Sequence, residues 1–141
     1  MTGTARQSTC VAIAGRGILI EGPPGSGKSS LALALIDRGA VLVGDDSILL
    51  ETQQGRLLAH PHPRTRGLLE VRNLGLLAFR CLDTVPVSLM LTLDGDAPRY
   101  IEAPDDVAIG SAVLPLVRLY PEASALPLRA ELALKHYGLP L

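Results

Sequence analysis

The eight residues Gly22-Pro23-Pro24-Gly25-Ser26-Gly27-Lys28-Ser29 fill the spacing GxxxxGKS, and no other stretch limits so narrowly what this chain can fold into. Such a loop needs a strand before it and a helix after it. Ile18-Leu19-Ile20 is an apolar, β-rich run that leads straight to the loop. Ser29 to Arg38 is dominated by Ala and Leu, and Gly39 stands where a left-handed cap ends a helix. The glycines let the backbone curl so that successive N–H groups converge on phosphate oxygens, and the dipole of the helix favours anions at its start. Lys28 brings a charge to the β and γ phosphates, and Ser29 offers a hydroxyl to Mg²⁺. The loop therefore reads as a nucleoside triphosphate site. ATP is favoured over GTP, because the chain has no Asn-Lys-x-Asp guanine reader.

Val41-Leu42-Val43 reads as a short buried strand that ends at Gly44-Asp45-Asp46. Strand, helix and strand make a βαβ unit, whose strands run parallel. The helix is apolar nearly all round, which predicts burial. Upstream, Cys10-Val11-Ala12-Ile13 and Ile18-Leu19-Ile20 flank the turn Ala14-Gly15-Arg16-Gly17, a hairpin pattern. Downstream, Ile48-Leu49-Leu50 and Arg56-Leu57-Leu58 flank Thr52-Gln53-Gln54-Gly55, a second hairpin. Val85 to Leu93 alternates as a strand, and Asp94-Gly95-Asp96 ends it. Glu122 to Tyr137 is the best late helix, with Pro127 in or near its first turn and Gly138 past its end. The expected fold class is α/β, a P-loop-containing mixed β-sheet with packed helices. At 141 residues it is read as one domain spanning residues 1–141.

Composition narrows the partners. Net charge is −1 and aromatics are 3%, so neither a broad basic face nor a stacking platform for nucleic acid is supplied. The N-terminal residues lead into no apolar run long enough for a signal or a membrane span, and the expected location is the cytoplasm. Cys10 and Cys81 lie far apart without CxxC spacing and read as buried thiols. His60-Pro61-His62-Pro63 lacks a third Cys or His nearby and reads as a loop rather than a metal site, structural zinc usually taking four ligands.

Asp45 and Asp46 follow a strand one crossover from the glycine loop. The carboxyl ends of parallel strands share one edge, where ligands bind. One carboxylate suits Mg²⁺, and the other suits removal of a proton from an attacking hydroxyl. Spacing alone does not say which does which. Glu70, in Gly67-Leu68-Leu69-Glu70-Val71-Arg72-Asn73-Leu74-Gly75, reads from spacing alone as the polar face of an element.

Taken together, the glycine loop, Leu42-Val43-Gly44-Asp45-Asp46 and Leu69-Glu70-Val71-Arg72 resemble the catalytic domain of the HPr kinase/phosphorylase family, in a short form without that family's separate N-terminal domain. The resemblance implies phosphorylation of a serine on an HPr-type phosphocarrier protein, with ATP and Mg²⁺, and reversal by inorganic phosphate. By the same resemblance Lys28 is the phosphate-loop lysine, and Ser29 and Glu70 are the magnesium ligands. Asp46 is the proton acceptor with Asp45 beside it, Arg99 is a catalytic arginine, and the assembly is a hexamer. Three departures weigh against the reverse reaction more than the forward one. Gln7 stands where a histidine is usual, Asn73 where a glycine is usual, and no Gly-Arg-Asn loop occurs around Leu114 to Pro121, where Arg118 is the nearest basic residue. Two other functions fit a phosphate loop: a kinase for a small metabolite, and a nucleotide-sensing module without turnover.

Overall fold

The computed structural model describes residues 3–122 and 124–141. Its centre is β9 (Val85–Leu93), and the other elements are best placed from it. On one side β9 pairs parallel with β3 (Arg16–Glu21), from Gly17↔Val87 to Glu21↔Thr92. On the other side its start pairs antiparallel with β6 (Arg56–Pro61), at Leu58↔Pro86 and Ala59↔Val85. Its end pairs parallel with β11 (Ala112–Leu119), from Leu116↔Met90 to Leu119↔Leu93. A strand flanked on both sides and covered on both faces should be nearly continuous in apolar residues. Val-Pro-Val-Ser-Leu-Met-Leu-Thr-Leu meets that demand, and only Pro86 and Thr92 are less than fully buried.

The chain enters through β1 (Thr4–Arg6), which pairs with β5 (Ile48–Gln53), itself the hairpin partner of β6. The hairpin of β2 (Thr9–Ile13) and β3 turns at Ala14 and Gly15, both at positive φ and the first two residues of the expected turn. The second hairpin likewise turns in two residues, Gln54 and Gly55, both at positive φ. Such paired left-handed residues match the twist of the flanking strands. After the glycine loop come α1 (Lys28–Asp37) and β4 (Val41–Gly44). The expected helix of Ser29 to Arg38 is thus displaced by one residue. Gly39 has φ 111 and ends it.

β3 and β4 run parallel, as a βαβ unit requires, but they are not neighbours. β2 lies between them, antiparallel to both, in the order β9-β3-β2-β4. The start of β2 therefore reaches the edge where β3 and β4 end, which places Thr9 beside Ile20 and Cys10 beside Gly44.

The two-residue period of the strands divides the interior. Val11, Ile18, Ile20, Leu42, Leu89 and Leu91 join Leu31 and Leu35 of α1 and Leu134 of the last helix on one face. Cys10, Leu19, Val43, Val87 and Met90 meet Ile48, Leu57 and Leu114 on the other. Both cysteines are free, and burial pushes both thiols above their ordinary value.

Three sequence expectations are corrected. The late helix α2 covers Leu126–Tyr137, not Glu122 onward. Pro127 sits in its first turn, and upstream the N–H of Glu122 donates instead to the carbonyl of Tyr120. Ala123 lies outside the described residues. His60 and Pro61 belong to β6 rather than to a loop; His60 is buried, with Nε2 2.5 Å from Glu51 Oε1 and Nδ1 2.9 Å from Thr84 Oγ1. Residues 68–78 form a separate hairpin, β7 (Leu68–Val71) with β8 (Gly75–Ala78), which carries Glu70. Asn73 in its turn has φ 73. Asn is among the few residues other than glycine that adopt this conformation readily, which accounts for its standing in a usual glycine position. The remaining strand, β10 (Asp105–Ile109), pairs with β11.

Burial should dictate the cost of truncation. Leu89→Ala, in a fully buried position on β9, should lower the free energy of unfolding by about 2–5 kcal/mol. Leu76→Ala, at 66% exposure on β8, should change it by less than about 0.5 kcal/mol. Urea denaturation of both variants checks the pair. Equal midpoints would contradict the placement of β9 at the centre.

Candidate functional site

The glycine loop closes the gap between β3 and α1 at the carboxyl edge of the sheet. Gly25 and Gly27 have φ 78 and 100, a region closed to most side-chain-bearing residues. A Cβ on Gly22 would come within 2.7 Å of Ser26 Oγ and 3.0 Å of the Leu93 carbonyl, so the loop also packs tightly on the end of β9. Lys28 folds back over the loop, and its Nζ donates to the Gly22 carbonyl at 2.9 Å. At the base of the loop, Arg6 of β1 makes a bidentate pair with Glu21, 2.7 and 3.0 Å, which ties the first strand to the residue before Gly22. That carboxylate raises the Arg6 pKa further.

The two aspartates differ completely in surroundings. Asp45 is buried at 8% exposure, whereas Asp46 is exposed and has φ 63. The Asp45 carboxylate accepts three hydrogen bonds from three different elements. Ser29 Oγ donates to Oδ1 at 2.7 Å, Thr9 Oγ1 to the same oxygen at 2.9 Å, and the backbone N–H of Glu70 to Oδ2 at 3.0 Å. Asp46 meets only the Thr9 hydroxyl, through its own N–H at 3.2 Å, and Gln7 Nε2, which donates to Oδ1 at 3.4 Å.

Through its N–H, Glu70 brings the β7–β8 hairpin against the loop. Gly25, Gly27, Lys28, Ser29, Glu70 and Arg72 line a cavity of about 140 Å³. Arg72 and Thr9 are the site-edge residues that the sequence reading did not assign. A threonine at the head of an apolar strand carries no mark of its own, and Arg72 was passed over inside the Leu69–Arg72 block. Arg99 does not line that cavity; with Arg118, Arg129 and His136 it lines a separate groove between β11 and α2. Arg118 is engaged there by Asp105 and, at 3.8 Å, by Asp94. Leu114 to Leu119, where the Gly-Arg-Asn loop was sought, lie within β11.

The residues at the edge fit a polyphosphate with a hard cation. Ser26 Oγ is buried in the loop without a hydrogen-bond partner among the described residues, and Lys28 and Arg72 share one small polar cavity. Among the described residues no group of three or more His, Cys, Asp or Glu side chains is placed to hold a metal. Mg²⁺ takes one or two protein ligands and completes its shell with water and phosphate. Ser29, Asp45 and Glu70 offer only oxygen. No helix among the described residues is long and apolar enough to cross a membrane.

The class follows from fold and edge together: a mixed α/β sheet whose glycine loop opens the first helix beside a buried aspartate. Residues 2–82 match the family model described as HPr Serine kinase C-terminal domain, and the chain belongs to that family. The chain is 48% identical over 71 residues to the HPr kinase/phosphorylase of Bordetella pertussis, covering 50% of this chain and 23% of that protein. It is 43% identical over 74 residues to the HPr kinase/phosphorylase of Clostridium tetani, covering 52% and 24%. The chain thus spans less than a quarter of the length of these curated relatives. The solved structure of the Hpr(Ser) kinase/phosphatase from Coxiella burnetii matches with a TM-score of 0.85 at 25% identity, over 94% of this chain and 88% of that one.

If the Asp45 carboxylate joins these elements, removing it must cost more than a surface change. Asp45→Ala leaves two hydroxyls and one N–H without their acceptor and should destabilise the fold by at least about 2 kcal/mol. Asp46→Asn, exposed and equally tolerant of positive φ, should shift stability by less than about 0.5 kcal/mol. Thermal unfolding of the two variants side by side measures the difference, and equal losses would deny Asp45 this role.

Proposed function

We propose that this chain is an ATP- and Mg²⁺-dependent protein kinase that phosphorylates a serine of an HPr-type phosphocarrier protein. The observation that carries the reading is the split between the two aspartates. Asp45 is buried and committed to Ser29, while Asp46 stands exposed beside the loop. The substrate class comes from the relatives, which are named HPr kinase/phosphorylase.

In this reading Gly22, Pro23, Pro24, Gly25, Ser26, Gly27, Lys28 and Ser29 bind the triphosphate, with backbone N–H groups and the Lys28 ammonium facing its oxygens. Ser29 and Glu70 hold Mg²⁺, and Asp45 orients Ser29 from behind. When bound, the ion offsets the negative charge that gathers on the phosphate oxygens. Asp46 accepts the proton of the incoming seryl hydroxyl, because it is the aspartate open to solvent. Asp45 already accepts from three donors, which suits it to fix Ser29, Thr9 and Glu70 in place. Arg72 adds a second cation to the phosphate cavity. Arg99 keeps the part of a catalytic arginine on the resemblance alone, from a groove separate from the cavity that holds Lys28 and Arg72. Reverse transfer to inorganic phosphate is the weaker direction, since Gln7 cannot carry a proton at neutral pH as a histidine can.

The test is incubation with labelled ATP, Mg²⁺ and a panel of HPr-like proteins, followed by identification of the labelled residue. Label on a serine of one carrier is expected; tight nucleotide binding without transfer, or transfer only to a metabolite, overturns the reading. Running the same proteins as phosphoserine forms with inorganic phosphate reads the reverse rate, expected to be lower than the forward one.

Two variants probe the assigned roles. Lys28→Ala should keep its fold and slow transfer on the order of 10²- to 10³-fold, the loss typical of one transition-state charge contact. Near-normal turnover would remove Lys28 from the site. Glu70→Gln keeps the backbone N–H on Asp45 but replaces a carboxylate that a hard cation prefers. Its Mg²⁺ midpoint should rise while metal-free nucleotide binding stays the same. An unmoved midpoint would leave Glu70 a hairpin residue only.

A further inference from the structure

Thr9 is fully buried, and its hydroxyl is the only side-chain group among the described residues that hydrogen-bonds both aspartates. It donates to Asp45 Oδ1 at 2.9 Å and accepts from the Asp46 N–H at 3.2 Å. A hydroxyl has one proton to give and lone pairs to receive with, so both bonds form at once. Each acts on a different part of the pair. The first presses the Asp45 carboxylate toward Ser29. The second grips the backbone of Asp46, which stands at φ 63, and so fixes the direction in which its side chain leaves the loop. Position 9 can do this only because β2 runs between β3 and β4 and begins at the edge where they end.

We infer that Thr9 is a positioning residue for phosphoryl transfer, whose hydroxyl fixes Asp45 on the Ser29 side and Asp46 on the acceptor side. The inference rests on the kinase reading above and adds a residue to it. A β-branched residue in a buried strand also has a plain packing role, and the two roles come apart by substitution. Valine keeps the shape and loses the hydroxyl, whereas serine keeps the hydroxyl and loses a methyl group.

Thr9→Val, Thr9→Ser and the unaltered chain are to be compared in the carrier assay, with thermal unfolding as the check on folding. Misplacing a proton acceptor by an ångström or less costs up to about 10²-fold in rate. Thr9→Val should therefore lower kcat about 10- to 100-fold, with KM for ATP unchanged within about twofold, because the Thr9 hydroxyl bonds neither Lys28 nor the loop backbone that receives the triphosphate. Thr9→Ser should restore kcat to within about threefold of the unaltered chain. Should Thr9→Val not fold, Thr9→Ala in the same assay reads the same split. Hydrogen exchange at the Asp46 amide gives an independent reading, slow in the unaltered chain and in Thr9→Ser, fast in Thr9→Val.

Several outcomes overturn the inference. They are an unchanged kcat in Thr9→Val, a Thr9→Ser variant as slow as Thr9→Val, and a loss confined to KM. An unaltered chain that transfers nothing to any carrier sinks the kinase reading and this inference together. An active unaltered chain with an equally active Thr9→Val sinks only the inference.

Discussion

One carboxylate gathers this site. Asp45 is buried at the end of β4, and a buried charge is tolerated only where hydrogen bonds compensate its lost hydration. Its three donors come from β2, from the start of α1 and from the β7–β8 hairpin. The requirement to satisfy Asp45 thereby becomes a requirement on geometry. The helix must begin where Ser29 can reach it, the second strand must begin at Thr9, and the hairpin must present the N–H of Glu70. A two-stranded sheet is marginal alone, and among the described residues this one pairs with no other strand, so the Glu70 N–H and the fully buried Leu69 side chain tie it to the rest.

The sheet explains how elements distant in sequence converge on that carboxylate. β9 supplies a rigid spine whose end touches the glycine loop through the Leu93 carbonyl. β3 runs parallel to it and delivers the loop, and the inserted β2 brings a side chain from the opposite direction. Arg6 and Glu21 fasten the entering chain to the same corner, a pair whose partial exposure keeps it a clamp more than a source of stability. The groove that holds Arg99, Arg118 and Arg129 lies where β11 meets α2, and Arg118 and Leu119 pair there with Thr92 and Leu93 at the end of β9.

Much of this was legible in the sequence, for identifiable reasons. The βαβ order, both hairpins and the bounds of β9 follow from periodicity and turn residues, which are local. The insertion of β2 between β3 and β4 is not local, and nothing in Cys10-Val11-Ala12-Ile13 records which strands it will join. For the same reason Thr9 was invisible, since its importance comes from a neighbour 36 positions away. Asp45 and Asp46 look alike in sequence and part only when the backbone turns left-handed between them. The groove that Arg99 lines was not legible either, because order along the chain does not say against which elements the segment after β9 packs. The family match ends at residue 82, short of β9, β11 and α2, while the structural match extends over 94% of the chain. Those later elements are demanded mainly as burial, which many aliphatic combinations supply equally well.

The left-handed backbone at Asp46 restricts how this position can change. Asn and Gly adopt φ 63 with little strain, but neither carries a carboxylate. Glu carries one and sits in that conformation far less readily, and it would also project its acid one methylene further out. For the proton acceptor proposed above, aspartate thus answers both the torsional demand and the chemical one, and replacing it with Asn, Gly or Glu gives up one of the two.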